Sequence, residues 1–512
     1  MKKVLKTLGV AALSLAVAAP ALAATDVELW YGAAVTEAGP LPDNWVGYNI
    51  IKQKCDVNLK ATALPSAEGD QNTKINAAGA ANKLPDIFMV SSAVFDNLVK
   101  QKLLAEVDDM YKMMPNRTKT LYSKDAIAFT TVGKHSYGLA QPGSVIKNEG
   151  VLIRTDWLKK VGKQVPTTTA EFLDVMKAFT NNDPDGNGKA DTYGYGGYLE
   201  TSAPNEGLGR RFDPIFGAFG VAGTWNLSSA KTAGLNIHKP EYFEAMQYMK
   251  SIVDAKVIDP NWLSYKKDDF RGAWKQGRFG IMREQNAAYA SESNYAPFDK
   301  NFPNGSWQVI APPKGPKGLS SAGTYSQAYR IYCVAKKSAS KKAAIAKLLE
   351  WMSSEEGYYL LGWGQKNVNY VLNAQGVPTV EGLADPSKGF SKSENQPLTQ
   401  LRNMVYYNSN IELAARYPTY KTAVSGKTMS ALTTLREMQK YNWTYAPGQD
   451  KMPKPTTDVE RLYNQGVTEF MTGTRKLDKA NWQKFIKEFD AQGGAQWEKD
   501  GIAFAKANRL VR

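Results

Sequence analysis

Cysteine and histidine are scarce in this 512-residue chain, which contains two of each. Two cysteines are too few for a framework of disulfides, and two histidines argue against a histidine-based zinc site. Cys55 and Cys333 both lie in apolar, strand-like stretches, so we expect buried free thiols. One disulfide between them stays open as an alternative, because an oxidising compartment would allow it.

Long apolar runs are absent beyond residue 23, so we expect that the rest of the chain does not span a membrane. Residues 1–23 match a secretory signal peptide. Lys2 and Lys3 form its basic end, an Ala/Leu/Val-rich run follows, and Ala21-Leu22-Ala23 is a cleavage site of the A-x-A kind. The residue directly after this site is not a cysteine, which argues against a lipid anchor there. The sequence therefore predicts an exported protein that is released by cleavage.

Internal repeats and a clustered basic–aromatic stripe are also absent, which argues against a repeat scaffold and against nucleic acid as the partner. The chain carries a formal net charge of +15, with 12 Trp and 26 Tyr. The positive charge favours an anionic partner or surface. Exported proteins rich in Trp and Tyr often bind sugars, because the apolar face of a pyranose ring stacks on an aromatic ring. Ordinary packing is the alternative explanation for most of these rings.

The sharpest chemical signal is an oxygen-rich loop at residues 183–192. Asp183, Asp185 and Asn187 occupy positions one, three and five of an EF-hand-like spacing, and Gly188 sits at the sixth position, where the chain must turn sharply. Gly194 stands where the usual Glu of position twelve would be. The predicted calcium ligands are Asp183, Asp185, Asn187, the backbone carbonyl of Lys189, Asp191 and Thr192.

Two interpretations of this loop compete. A hard cation such as Ca²⁺ needs about six to eight oxygens, and this run supplies most of them. The alternative is a solvated turn rich in Asp and Asn after a helix. Because no second flanking helix is evident, we expect a structural ion that holds the loop closed and not a calcium sensor.

Strand-like and helix-like patterns alternate through the first hundred residues of the exported chain. This alternation predicts a parallel α/β sheet, whose ligands lie beyond the carboxyl ends of the strands. Trp30 and Ser91, with their neighbours Tyr31 and Ser92, are therefore candidate ligand contacts, and core packing is an equal alternative for Trp30. Tyr137 belongs to a further segment that leads toward the calcium loop. The predicted elements are strands at 26–33, 57–59 and 84–90 and helices at 44–54 and 68–82.

Several segments occur in the order of one known family. They are LPDIFMV (84–90), VLIRTDWLKKVG and PTTTAEFLDVMKAF (within 151–179), WKQGRFGIMREQ (274–285), WQVIAPPKGPKG (307–318) and AKKSASKKAAIAKLLEWMSSEEGYYLLGWG (335–364). On these segments the chain resembles the extracellular family-one solute-binding proteins of carbohydrate ABC importers. Its length and its DPDGNGKADTYG loop resemble the alginate-oligosaccharide-binding proteins and their lipoprotein relatives, which carry a structural calcium in the matching loop.

The resemblance implies an α/β, two-lobe periplasmic-binding-protein fold of type II, with hinge crossings and a ligand cleft between the lobes. The first lobe would comprise 24–150 and 283–355, and the second would comprise 151–282 and 356–512. The strands at 151–154 and 281–283 would be the two crossings.

The resemblance also implies that aromatic side chains of the second lobe stack on sugar rings. The predicted ligand-binding residues are Trp274, Tyr406, Tyr407, Trp363, Arg283, Trp30, Tyr137 and Ser91. Packing between helices is the alternative for each aromatic residue. The arginines available to clamp carboxylates of an acidic sugar are Arg154, Arg210, Arg211, Arg283, Arg330 and Arg402.

The predicted function is that of a monomeric periplasmic binding protein, which captures an oligosaccharide and delivers it to the membrane permease of an ABC transporter. The net charge slightly favours an anionic, uronate-containing sugar over a neutral one. The rival class is an enzyme, either a secreted polysaccharide lyase or a glycoside hydrolase. A hydrolase needs two facing carboxylates, and a lyase needs a neutralising cation and a base. No segment shows the paired carboxylates in a distinct motif, so we predict a binding protein without catalytic residues.

Overall fold

The computed structural model describes residues 23–511, with gaps at 35–37, 66, 123, 142–146, 200–206, 326–329, 406–413, 446–451 and 509. Nearly all of the predicted signal peptide lies outside the described residues, and so do Tyr406 and Tyr407. Across the described part of the chain, no helix combines the length and the apolar character that a membrane crossing needs.

Nine strands of the described chain build two main sheets. They are β1 (Thr25–Tyr31), β2 (Val57–Ala63), β3 (Ile87–Ser91), β4 (Leu139–Ala140), β5 (Glu149–Arg154), β6 (Tyr193–Gly196), β7 (Phe279–Gln285), β8 (Trp307–Ile310) and β9 (Arg330–Val334). Two-residue strands form smaller pairs, namely Thr131–Val132 with His135–Ser136, Trp225–Asn226 with Gly234–Leu235, Thr324–Tyr325 with Thr444–Tyr445, Val371–Leu372 with Pro378–Thr379, and Tyr420–Lys421 with Thr428–Met429.

Helices cover both sheets. In chain order they are α1 (Val46–Cys55), α2 (Glu68–Ala80), α3 (Ser92–Lys100), α4 (Met110–Met113), α5 (Pro115–Leu121), α6 (Lys124–Phe129), α7 (Thr155–Lys160), α8 (Thr169–Asn181), α9 (Asp213–Gly217), α10 (Pro240–Asp254), α11 (Lys267–Lys275), α12 (Asn286–Ala290), α13 (Glu292–Asn301), α14 (Lys342–Met352), α15 (Glu355–Trp363), α16 (Ala431–Gln439), α17 (Thr457–Thr472), α18 (Lys479–Ala491) and α19 (Gly494–Ala507). Short 3₁₀ turns link several of them, the longest being Ser393–Met404.

The first sheet has the strand order β2-β1-β3-β9-β4. β2, β1 and β3 run parallel, whereas β9 runs antiparallel to both β3 and β4. Four consecutive residues of β3, Ile87 to Val90, are buried, as expected of a strand that is covered on both faces. The core around this sheet draws on residues 27–140 and 331–405. We call this part of the molecule the first half.

The second sheet has the strand order β8-β5-β7-β6. β5 runs antiparallel to both β7 and β8, and β6 lies parallel to β7 at the other edge. Its two cores draw on residues 151–310 together with 431–438 and 452–510. We call this part the second half. Two halves with separate sheets and separate cores agree with the predicted two-lobe α/β fold.

The lobe boundaries differ from the sequence prediction at two places. Strand β8 pairs with β5 and so belongs to the second half, although the prediction assigned 283–355 to the first. Residues 358–405 contribute to the first core, although the prediction assigned them to the second. The segments at 151–154 and 281–283 are also wrong as crossings, because they lie inside β5 and β7, which pair within one sheet. Hydrophobic patterns identify strands but not the sheet that each strand joins.

Helix α8 begins with a capping box and ends just before the loop at 183–192. Thr168 is its N-cap and accepts a hydrogen bond from the Glu171 amide, while the Glu171 side chain accepts one from the Thr168 amide. This reciprocal pair satisfies two donors that the first helical turn would otherwise leave unpaired. Phe172, Val175 and Phe179 face the core at helical spacing. The helix therefore anchors the start of the calcium loop in the second half.

Cys55 and Cys333 are buried free thiols, as the sequence predicted. Cys55 ends α1, and burial raises the pKa of its thiol to about 11. A thiol with so high a pKa carries little thiolate at neutral pH and is chemically inert.

Candidate functional site

The chain crosses between the two halves three times. It leaves β4 of the first sheet and enters β5 of the second, and it leaves β8 of the second sheet and returns to β9 of the first. A third passage joins the 3₁₀ segment Ser393–Met404, which packs in the first core, to α16, which packs in the second half. Residues on these passages lie at the boundary where a ligand can touch both halves.

The wall of the first half at this boundary is the start of β9. Arg330 lies opposite Ser91 at the carboxyl end of β3, and its carbonyl accepts a hydrogen bond from the Gln141 amide at 2.9 Å. The guanidinium packs over Gly32, where an added Cβ would lie 2.5 Å from the Met89 sulfur and 3.1 Å from Arg330 Nη1. A side chain at position 32 would therefore displace the Met89 side chain and crowd the Arg330 guanidinium.

The wall of the second half is a buried charge network at the facing ends of β5 and β7. Glu149 Oε2 lies 3.0 Å from Arg283 Nη1 and 3.5 Å from Arg211 Nη1. Burial raises the pKa of the Glu149 carboxyl, but the charges of Arg211 and Arg283 outweigh that effect and hold its pKa at about 2. Arg283 also donates to the carbonyls of Arg210 and Ala322. Arg283, predicted as a ligand contact, thus ties the sheet to the returning passage.

A cluster of half-buried rings lies where the first two passages meet the segment that follows α16. Tyr325 and Tyr445 pack edge to face with ring centroids 5.7 Å apart, on two short strands that run parallel to each other. The Lys147 ammonium lies 4.4 Å from the Tyr325 ring, and the Arg283 guanidinium lies 5.9 Å from the Trp443 ring. We call Lys147, Tyr325, Trp443 and Tyr445 the crossing cluster. Sequence reasoning missed it, and the one available signal was the aromatic pair in Asn442-Trp443-Thr444-Tyr445.

A cavity of about 560 Å³ opens along the third passage. Trp363 and Phe390 of the first half line it, with ring centroids 5.1 Å apart. Arg402 and Arg416 also line it, and the Arg416 guanidinium lies 5.5 Å over the Trp363 ring. Tyr417 completes the wall and packs against the second half. We call these five residues the arginine cavity. Its volume lies within the usual range for small-molecule sites.

The predicted stacking residue Trp274 is a core residue in this structure. Its side chain is fully buried and packs against Tyr289, Phe298 and Trp307. The helix pattern of α11 indicates that Trp274 faces inward, but it does not distinguish a core from a cleft. Trp363 is also buried, yet it lines the arginine cavity, so its predicted place beside a ligand remains a prediction.

The other predicted contacts do not form one site. Trp30 is half-buried and lies 4.5 Å beneath the Lys74 ammonium, and Ser91 donates its hydroxyl hydrogen bond to Asn72. Tyr137 lies near Glu106 and Asp108 on another face of the first half, and burial raises the pKa of its phenol. Tyr406 and Tyr407 lie outside the described residues.

The predicted calcium loop brings most of its side-chain oxygens together. Asp183 accepts hydrogen bonds from the amides of Asn187 and Gly188 at 3.1 and 3.0 Å. Asn187 Nδ2 lies 3.0 Å from Asp185 Oδ2 and 3.2 Å from Asp191 Oδ1. Gly188 has φ of +75°, a conformation that favours glycine, as the sharp turn at the sixth position requires.

Charge in the loop is unbalanced. The amide of Gly188 holds the pKa of Asp183 below its usual value, whereas burial, together with neighbouring Asp183, raises the pKa of Asp185. Thr192 is buried, and its hydroxyl donates to the Phe179 carbonyl at 2.9 Å. In this structure Thr192 therefore anchors the loop to α8, and its hydroxyl does not face the carboxylate oxygens of the predicted calcium ligands. Lys189 donates its amide to Asn187 Oδ1 at 2.7 Å.

A family model described as bacterial extracellular solute-binding protein matches residues 49–375. Two curated relatives come from Bacillus subtilis (strain 168). Lipoprotein LipO is 23% identical over 86% of this chain and 85% of its own length. Polygalacturonan/rhamnogalacturonan-binding protein YtcQ is 27% identical over 62% of this chain and 62% of its own length.

Solved structures with the same fold are also solute-binding proteins. An HMO-binding solute-binding protein associated with an ABC transporter, from Bifidobacterium longum infantis ATCC 15697, aligns with a TM-score of 0.70 at 17% identity, over 94% of this chain and 99% of that chain. The alginate-binding protein AlgQ2, in a crystal structure without calcium ion, aligns with a TM-score of 0.63 at 16% identity, over 95% of this chain and 98% of that chain. At these identities the likeness establishes the fold.

Proposed function

Because the chain belongs to the bacterial extracellular solute-binding proteins, we propose that it captures an oligosaccharide between its two halves and delivers it to the permease of an ABC importer. The observation that carries this proposal is the arginine cavity. It is a concave site of ligand size, and it combines aromatic rings with two guanidinium groups. Its walls come from the first half and from the third passage, whose Tyr417 packs against the second half.

The proposed ligand is a sugar that carries carboxylates. A guanidinium binds a carboxylate through two parallel hydrogen bonds, so Arg402 and Arg416 suit a uronate better than a neutral sugar. The net charge of +15 points the same way. Two proteins similar to this chain, YtcQ and AlgQ2, are named for binding acidic polysaccharides. The crossing cluster would add stacking surface and a further cation, Lys147.

The proposal is tested by binding measurements against a matched panel of galacturonate, alginate and neutral oligosaccharides. We expect uronate oligosaccharides to raise the melting temperature, since a ligand at about 100 times its dissociation constant stabilises the fold by about 2.7 kcal/mol. Arg402→Gln and Arg416→Gln should each weaken uronate binding. Arg461→Gln, in an exposed pair with Asp458 on α17, is the matched control and should bind normally.

Two results would contradict the proposal. If neither arginine variant changes the affinity for the best sugar of the panel, the arginine cavity is not the ligand site. If the protein releases shorter products from a polysaccharide, it is an enzyme, because a binding protein returns its ligand unchanged. Tyr325→Ala and Trp443→Ala test in the same way whether the crossing cluster contacts the sugar.

Calcium in the loop at 183–192 is a second part of the proposal. The donor set fits a hard cation, because the carboxylates of Asp185 and Asp191 face the side-chain amide of Asn187 and that of Asp183 faces its backbone amide. Turning the side-chain amide of Asn187 by 180° would exchange its nitrogen for its oxygen, which carries no hydrogen and can ligate a cation. Asp183, Asp185, Asn187 and Asp191 would hold the ion, which would compensate their charge. Thr192 would then support the loop through Phe179.

We also propose export through the signal peptide at 1–23 and action in the periplasm. The basic end, the apolar run and the A-x-A site support it. The relative LipO is named a lipoprotein, whereas in this chain Ala24 and not a cysteine directly follows Ala23, so its release by cleavage is the specific expectation. Mass spectrometry of the exported protein, with an N-terminus at Ala24, would test it.

A further inference from the structure

Three side chains of types that commonly bind metals meet on the surface of the first half. None of them belongs to the arginine cavity, the crossing cluster or the loop at 183–192. They are Glu106, Asp108 and His135, and one ligand atom of each lies within 4.8 Å of the others. His135 begins the second strand of the hairpin Thr131–Ser136, and the two acids precede α4. About half of each side chain is exposed, so solvent ions can reach them.

The distances around His135 are those of ion pairs and not of hydrogen bonds, and they also match the spacing of metal ligands. Its Nδ1 lies 3.4 Å from Asp108 Oδ2 and 3.5 Å from Glu106 Oε2. Hydrogen bonds from nitrogen to oxygen fall at about 2.7–3.2 Å, so both distances are too long. Two ligands that each lie about 2.0–2.1 Å from a tetrahedral zinc ion are about 3.3–3.4 Å apart, which is close to both values.

The second histidine of the chain provides an internal comparison. His238 also lies between one Asp and one Glu, but its Nε2 faces Asp490 at 2.9 Å and its Nδ1 faces Glu498 at 3.0 Å. Each ring nitrogen thus donates to its own carboxylate, which is the arrangement of a protonated imidazolium. At His135, in contrast, a single nitrogen faces two carboxylates. One proton cannot bond well to both, whereas one cation can bind all three atoms.

The surroundings of the trio hold it in this arrangement. The Ser136 amide points at both oxygens of Asp108, at 3.2 Å each, and so fixes the carboxylate. Lys342 donates to the Glu106 carbonyl and to the carboxylate of Asp109, which holds the backbone of the acidic segment against α14. Outer contacts of this kind orient metal ligands. Two carboxylates that face one imidazole supply the oxygen and nitrogen atoms that a divalent cation can bind.

We propose that Glu106, Asp108 and His135 bind a divalent transition metal of the zinc class. One imidazole nitrogen and two carboxylate oxygens form three corners of a tetrahedron, and water occupies the fourth, so the site is open. The mixed nitrogen and oxygen ligands select against Ca²⁺, which takes oxygen ligands only. The ion ties the hairpin at 131–136 to the segment before α4. The scarcity of histidine argued against a zinc site of several histidines, and this site needs only one.

The test is zinc binding by tag-free protein in excess Ca²⁺, so that the loop at 183–192 is occupied. We expect one zinc ion per chain by isothermal titration calorimetry, and Co²⁺ should give the intense visible absorption of a tetrahedral site. In nitrogen-detected NMR of the two imidazoles, zinc should shift the signals of His135 and leave those of His238 in place. His135→Ala should lower zinc affinity by more than the roughly 10- to 100-fold that loss of an outer contact costs.

The controls separate this site from adventitious binding. His238→Gln should bind zinc normally, and Asp108→Asn should bind it more weakly while circular dichroism shows an unchanged fold. The proposal is wrong if His135→Ala binds zinc as the unmodified chain does, since the ion then sits elsewhere. It is also wrong if the unmodified chain shows no saturable zinc binding, or if zinc shifts only the His238 resonances.

Discussion

At the scale of single residues, the burial of Trp274 predicts that its replacement lowers stability and not sugar affinity. The side chain is fully buried among Tyr289, Phe298 and Trp307, so Trp274→Ala would leave a large cavity. We expect the free energy of unfolding to fall by about 3–5 kcal/mol, and the sugar affinity of the folded protein to stay unchanged. Urea unfolding and calorimetric titration measure the two quantities.

Trp351→Ala is the matched control for that substitution. Trp351 is half-buried on α14 and donates its ring N–H to Glu356, so its loss should cost less stability. Weak sugar binding by a stable Trp274→Ala protein would mean that the ring becomes accessible to the ligand, contrary to its position in the core.

Residue-scale predictions from the sequence succeeded where chemistry is local. The spacing of Asp183, Asp185 and Asn187 predicts that they lie close together, and both carboxylates face the backbone amide of Asn187, because neighbours within one tight turn are neighbours in space. Their role as calcium ligands stays a prediction. The roles of Trp274 and Arg283 could not be predicted in the same way. Whether a ring or a guanidinium faces a cleft or a core depends on residues far away in sequence, such as Trp307 or Glu149.

Glu149 leads to a pH prediction. Its pKa is about 2 in the folded protein, below the usual 4.5, so the carboxylate stabilises the fold fully above about pH 4.5. That contribution is lost as the pH falls from 4.5 toward 2. A shift of this size corresponds to about 3 kcal/mol. We therefore expect Glu149→Gln to lose about that much stability at pH 7 and to depend less on pH between 4.5 and 2 than the unmodified protein does.

Urea unfolding at a series of pH values measures this effect. Glu355→Gln is the control, because Glu355 lies exposed in the first turn of α15 and should keep the pH dependence of the unmodified chain. Equal stabilities of Glu149→Gln and the unmodified protein at pH 7 would mean that the ion pairs with Arg211 and Arg283 contribute nothing to the fold.

At the scale of elements, α8 and the loop after it form one unit with two independent sources of stability. The capping box of Thr168 and Glu171 fixes its start, and the oxygens at 183–191 fix its end. The cap and the close approach of these oxygens are both predictable from sequence, because each depends on residues that lie near one another in the chain. The pairing of β8 with β5 was not, since 150 residues separate them and nothing local specifies it.

The two ends of this unit can be separated experimentally. With calcium present, chelation should lower the melting temperature and leave sugar affinity nearly intact, because the loop lies away from the arginine cavity in the proposed arrangement. Asp185→Ala should reproduce the effect of the chelator and make stability independent of added calcium. Thr168→Ala should cost about 1 kcal/mol with or without calcium, since it removes only the cap.

Either of two outcomes would contradict the structural role of the ion. Sugar binding that vanishes with calcium while the fold stays intact would place the ion in ligand recognition. A melting temperature of the unmodified protein that ignores both chelator and calcium would mean that the loop is a solvated turn.

At the scale of the whole molecule, the class of fold was predictable and its division was not. Alternating strands and helices indicated α/β architecture, and the order of family segments indicated two lobes. The order of the described elements joins these lobes by three passages, and two of them, between β8 and β9 and between Met404 and α16, come late in the chain. The sequence of such a crossing segment does not reveal it, because a segment that crosses between halves can have the composition of any surface loop.

The three passages allow the two halves to move relative to each other when a ligand binds. Separate cores on either side let the halves move as rigid bodies, and the few residues of the passages absorb the change in backbone angles. A ligand in the arginine cavity touches Trp363 and Phe390 on one side and Tyr417, which packs on the other half, so it binds the closed arrangement more tightly than an open one. We therefore expect small-angle scattering to show a smaller radius of gyration with saturating uronate oligosaccharide. Arg402→Gln, at the same sugar concentration, should keep the radius of the ligand-free protein. An unchanged radius in the unmodified protein under proven saturation would mean a rigid site, and capture would then need no movement of the halves.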